Sequence, residues 1–170
     1  LRRSRGLGDV YKRQINKNIS CQHSITQGFI GCTSENFTTT LGREGSDFTA
    51  SILAFSLDAN ELVIWKDVPG MMNADPEYFP KAKLFPKISF DEAIELAFFG
   101  AKIIHPKTIQ PLKKKNIPLK IKSFINPDDN GTLIAEGVNI TPSIPSYIVK
   151  EDQVLISISD ENLSLSLIHI

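Results

Sequence analysis

The heptapeptide Leu41-Gly-Arg-Glu-Gly-Ser-Asp47 constrains this chain more than any other stretch, because it lies between a threonine triplet and a helical apolar repeat. Its two glycines give the backbone φ values that other residues avoid and let main-chain amides approach a bound group. Thr38, Thr39 and Thr40 read as extended, while Phe48, Ile52, Phe55 and Ala59 recur at helical spacing, so Ser46 is expected to cap a helix running to about Ala59. Residues 26–31 read as a strand before the turn, and Glu61-Leu-Val-Ile-Trp65 as a short apolar strand in a covered sheet after the helix. Strand, loop, helix and strand in that order predict an α/β unit.

Within the turn, Arg43 offers a planar fork of donors suited to a carboxylate. A helix beginning at Ser46 adds unpaired amides and partial positive charge on the same side. Asp47, in the first helical turn, is placed to orient a bound amine or an Arg43 nitrogen. The motif predicts a small-anion site, but it is neither a P-loop nor GxGxxG, and a surface turn with an ordinary helix cap fits the same residues.

Both chain ends are set aside. Asp9-Val-Tyr-Lys-Arg-Gln14 and Leu165-Ser-Leu-Ile-His-Ile170 can be encoded by mutually reverse-complementary strings, so residues 1–14 and 165–170 read as translated sequencing adapter and its flank. Over the whole chain 19 Lys+Arg balance 19 Asp+Glu; without the ends, 14 face 18. That mild acidity argues against a nucleic-acid surface. No apolar run is long enough for a membrane span, and the expectation is a soluble, cytoplasmic protein. Cys21 and Cys32 form no CxxC and are expected to be buried free thiols.

Asp67 follows the 61–65 strand, where open α/β sheets place ligands, although an Asp-Pro-rich surface turn explains it equally well. Residues 71–87 hold three prolines and read as a long functional loop in which Met71 and Met72 pack against the loop or a flat ligand. Ser89-Phe-Asp-Glu92 is a capping box for a helix ending near Gly100. Lys102 is placed to reach phosphate, and His105 either shares that crevice or starts a second helix running to Lys115. Residues 117–124 read as a strand with water-facing lysines, Pro118 favouring an edge or first position. Residues 126–131 form a turn, 132–134 a short strand and 141–145 a linker, beyond which 146–149 and 154–158 are strand-like.

Taken together, Gly28-Phe-Ile-Gly31, Leu41-Gly-Arg-Glu-Gly-Ser-Asp47, Trp65-Lys-Asp-Val-Pro-Gly-Met-Met-Asn-Ala-Asp-Pro76, Ser89 through Lys102, His105-Pro106 and Asn130-Gly-Thr132 resemble the aspartokinase family of the amino-acid kinase fold. The resemblance implies an incomplete αβα sandwich over residues 15–140, a linker at 141–145 and the start of an ACT-like α+β regulatory region at 146–164. It implies transfer of the ATP γ-phosphoryl group to the side-chain carboxylate of L-aspartate, with Mg²⁺, on the route to lysine, threonine and methionine. By the same analogy Arg43 holds the aspartate carboxylate, and Ser46 and Asp47 shape that pocket. Lys66, Asp67, Met72, Lys102 and Ile103 line the nucleotide site. Glu77 stands where the family often has arginine, and Lys81 is the neighbouring candidate to replace it. No dedicated protein metal site is implied. The family's Lys-Phe-Gly-Gly segment, with the principal catalytic lysine, and its upstream acidic position have no counterpart here, so this piece alone is expected to be inactive. Intact members are expected to form a homodimer or higher homo-oligomer with lysine or threonine as effector, without nucleic-acid or membrane partners; whether a homoserine dehydrogenase follows is open. Another amino-acid kinase and a non-catalytic amino-acid sensor are the competing readings.

Overall fold

The computed structural model describes residues 23–101, 103–138 and 144–154. The adapter-like ends, Cys21, Lys102, most of the linker and residues 155–164 therefore lie outside the described residues.

Among the described residues, six strands and three helices follow one another in an α/β order. A hairpin of β1 (Ile30–Cys32) and β2 (Thr38–Thr40) leads through the glycine turn into α1 (Gly45–Leu57). Then come β3 (Leu62–Lys66), β4 (Lys87–Ile88), α2 (Phe90–Phe99), α3 (Pro106–Lys115), β5 (Leu119–Ser123) and β6 (Thr132–Ile134). The main sheet has the order β3-β5-β6-β4, with β3 parallel to β5, β4 parallel to β6, and β5 antiparallel to β6. Pro118 precedes β5, whose position is central rather than at an edge; the proline needs no ladder amide there, and its carbonyl accepts from Leu62 N at 2.9 Å.

Alternation along the strands separates the two faces of this sheet. Leu119 and Ile121 are buried, in register with Leu62 and buried Ile64 on one side and with Ile134 and Thr132 on the other. Against that face pack Ala54 of α1, Ala93 of α2, and Ile109 and Leu112 of α3. The opposite face carries Val63, Trp65, Lys120, Lys122 and Leu133, none fully buried. Its lysines do not simply point to water: Lys120 pairs with Glu61 at 2.6 Å, and Lys122 lies 5.2 Å from the Trp65 ring centroid. One helical layer on a mixed sheet is thus present among the described residues.

Several local expectations need correction. Ser46 is not the cap of α1: Glu44 occupies that position in a left-handed conformation without a side-chain capping bond, so Ser46 sits within the first turn. The helix buries Gly45, Ser51, Ala54 and Ser56, whereas Ile52 is exposed. Small residues win because α1 lies close against α3, where Ser51 Oγ donates to Thr108 O at 2.6 Å. Residues 71–86 are the loop expected, with Met72 bridging Leu84 across it, and Lys87 already opens β4. Residues 146–149 form no strand, since that segment is held by the 71–87 loop instead of a ladder. Cys32 is exposed rather than buried, on the small hairpin away from the core. The capping box at Ser89 and Glu92 is present, with both reciprocal bonds made.

Candidate active site

The turn before α1 owes its shape to three residues. Gly42 has φ 78° and Glu44 φ 54°, reversing the chain between β2 and the helix. Gly45 is buried, and a Cβ there would come within 2.8 Å of Leu41 Cβ and 2.9 Å of the Phe29 ring, so only glycine lets the turn close onto the hairpin. Phe29 N donates to Thr49 Oγ1 at 3.1 Å, and that hydroxyl donates to Gly45 O at 3.0 Å, tying the preceding segment to the helix start.

A cleft of about 1110 Å³ opens beside this turn. Arg43 and Glu44 form one wall. The loop after β3 supplies Val68, Gly70, Met72, Asp75 and Glu77, and the connection from α2 to α3 supplies Gly100, Ile103, Ile104 and His105. Tyr147 to Glu151 close the remaining side. Its volume lies just above the roughly 300–1,000 Å³ usual for small-molecule sites, and apolar walls with a few charged groups match such sites.

The loop wall is anchored firmly. Gly70 has φ 146°, and a Cβ there would overlap the Thr132 hydroxyl, which accepts from Met71 N at 2.9 Å. Met71 is buried in the core while Met72 turns to the cleft, so the adjacent methionines divide packing from the site. Asn73 then ties three segments: its Oδ1 accepts from Lys83 N at 2.6 Å, its Nδ2 donates to Pro145 O at 3.0 Å, and its carbonyl accepts from Tyr147 N at 2.7 Å.

Of the residues singled out from sequence, Arg43, Met72 and Ile103 share this cleft. Asp47 and Lys66 are brought together as a 2.6 Å ion pair, their side chains 14% and 22% exposed. Asp47 is therefore engaged by the last residue of β3 and not by Arg43, whose ion pair is the longer 4.0 Å contact of Nε with Glu44 Oε1. Ser46 and Asp67 are exposed and do not line the cleft. Lys81 is exposed outside it too; among the described residues, Lys150 is the lysine on its wall. His105 lines the cleft and also caps α3, its Nδ1 accepting from Lys107 N at 3.1 Å.

Glu44 and the 147–151 wall were missed by sequence reasoning. A glutamate beside Arg43 between two glycines was the available signal for the first; nothing local marks the second, because its place depends on Asn73 and on Phe79 stacking with Tyr147 at 5.7 Å.

The sequence profile of the amino acid kinase family matches residues 10–123, a span opening inside the adapter-like leader. Lysine-sensitive aspartokinase 3 of Escherichia coli K12 is 41% identical over 139 residues, covering 82% of this chain and 31% of that protein. The bifunctional aspartokinase/homoserine dehydrogenase of Buchnera aphidicola subsp. Acyrthosiphon pisum is 45% identical over 131 residues, covering 76% of this chain and 16% of the relative. The crystal structure of E. coli aspartokinase III in complex with aspartate and ADP superposes with a TM-score of 0.73 at 41% identity, covering 78% of this chain and 30% of that one. This chain thus spans under a third of the length of these relatives.

Proposed function

Because this chain belongs to the amino acid kinase family, on its aspartokinase branch, we propose that the protein it forms part of transfers the γ-phosphoryl group of ATP to the side-chain carboxylate of L-aspartate, giving 4-phospho-L-aspartate. The observation that carries this reading is the cleft that Arg43, Met72 and Ile103 line together, which gives an amino acid and a nucleotide a place to meet. Phosphoryl transfer depends on positioning and on compensating spread negative charge, which a guanidinium and exposed amides supply.

In this reading Arg43 fixes the amino acid by a carboxylate, and Met72 and Ile103 flank the adenine. The Asp47–Lys66 pair joins α1 to the end of β3, holding the amino-acid side and the nucleotide side in one geometry. Mg²⁺, when bound with ATP, would neutralise phosphate charge; such an ion needs only one or two carboxylates beside phosphate oxygens, and Asp75 on the cleft wall is of the right type. Glu77 and Glu151 bring negative charge to the cleft, and Lys150 on the 147–151 wall brings positive charge to it. Lys102 completes the nucleotide site in this reading, and the principal catalytic lysine comes from another part of the intact protein. Residues beyond the linker begin an ACT-like regulatory region, with lysine or threonine as effector and a homo-oligomer as the working state. The lysine sensitivity in the E. coli relative's name supports the effector reading.

The test is Arg43→Ala in the intact enzyme. Loss of a charged hydrogen-bonding partner of about 1.5–3 kcal/mol predicts a rise of roughly 10- to 150-fold in KM for aspartate with KM for ATP little changed. Equal aspartate kinetics in mutant and parent would overturn the assignment.

A further inference from the structure

Every polar group of Asn73 is engaged, and its partners belong to two stretches far apart in the chain. Its backbone N donates to Lys83 O at 3.0 Å while its Oδ1 accepts from Lys83 N, which closes the neck of the 71–86 loop. Its Nδ2 donates to Pro145 O, 72 residues further on, and its carbonyl accepts from Tyr147 N. The head of the loop meets that same stretch twice more, through the Phe79–Tyr147 stack and the bond from the Tyr78 hydroxyl to Glu151 at 3.0 Å. Within the head, Asp75 Oδ1 accepts from Glu77 N at 2.9 Å and Asp75 O from Phe79 N at 2.8 Å, folding it into a closed turn.

Two pieces of the cleft wall, Met72 to Tyr78 and Tyr147 to Glu151, are therefore joined at Asn73. An asparagine suits this joint because one short side chain carries both an acceptor and donors, and alanine supplies neither. Met72 precedes it and Asp75 follows two residues later, both on the cleft wall, so a shift of Asn73 displaces the two together. Displacements of about an ångström in a positioning group are enough to cost binding and rate. Resting on the aspartate-kinase reading, we infer that Asn73 is a positioning residue for the nucleotide: by fastening the loop to the 145–151 stretch it holds Met72 beside the adenine and Asp75 near the phosphates. Arg43 belongs to a different wall, built by the turn before α1, so the amino-acid side does not depend on this joint.

Steady-state kinetics of the intact enzyme and calorimetric binding of ADP, compared for the parent, Asn73→Ala and Tyr78→Phe, test this. Asn73→Ala is expected to raise KM for ATP and Kd for ADP about fivefold or more, with KM for aspartate within about twofold of the parent. Tyr78→Phe, which removes one outlying tie and leaves Asn73 in place, is expected to raise the same two constants about twofold. Parent-like ATP and ADP constants in Asn73→Ala overturn the inference and leave the kinase reading intact. An equal rise in KM for ATP and for aspartate marks general loosening and overturns it as well. Should Asn73→Ala fail to fold, Tyr78→Phe decides, and unchanged ADP binding there overturns the joint. A parent that binds ADP without phosphorylating aspartate overturns the kinase reading, while the ADP constants still judge Asn73.

Discussion

Asp47 and Lys66 show what a single pair contributes at the residue scale. Their side chains are mostly out of solvent and 2.6 Å apart, so truncating either leaves a poorly solvated charge behind. Asp47→Ala and Lys66→Ala are each expected to lower stability by about 1–3 kcal/mol, and the double variant to lose less than their sum; urea unfolding of all four proteins checks the coupling. Sequence made both residues visible as site candidates, since each stands at the end of a recognisable element. Their partnership was not visible, because it depends on how α1 docks against β3. The same limit explains Ser46: the serine reads as a cap until the left-handed Glu44 is seen to hold that position.

The element with most influence on the cleft is the 71–87 segment, and its grip on residues 144–151 passes through Asn73. Asn73→Ala removes the side-chain bonds to Lys83 N and Pro145 O, leaving partners that are partly solvated. The expected outcome is faster amide exchange at Tyr147 and Lys83 with a global stability loss of only about 1–2 kcal/mol. Tyr78 adds a second tie, its hydroxyl donating to Glu151 at 3.0 Å. That hydrogen bond first, and the Glu151 charge next, raise the phenol above its ordinary value of 10.0. A raised folded-state value means the contribution is whole below pH 10.0 and is lost as pH rises through the folded value, the unfolded chain ionising first. Phenolate absorbance should therefore show a late-titrating component that Tyr78→Phe removes. Proline content signalled a loop here, as found; β4 at its end follows from pairing with β6, which no local pattern encodes.

At the scale of the whole molecule, alternation and capping carried most of the architecture. The apolar run at 61–65, the capping box at Ser89 and the alternating residues of β5 each fall on the element expected of them. Strand order did not follow from them, because Pro118 fitted either an edge strand or the start of any strand; it stands just before β5, which sits between β3 and β6. Ile121, fully buried at the middle of that strand, is the position where a cavity would reach sheet and helices alike. Ile121→Ala is expected to cost about 2–5 kcal/mol and to lower one cooperative melting transition rather than loosen a single region. The parallel pairing of β3 with β5 joins residues 57 apart in the chain, Leu62 with Leu119 through Lys66 with Ser123. During synthesis at about 5–20 residues per second, β3 would wait roughly 3 to 11 seconds on the ribosome before its neighbour emerged. Its exposed hydrogen-bonding edge makes that interval the moment at which chaperone access decides how much nascent chain reaches the native sheet.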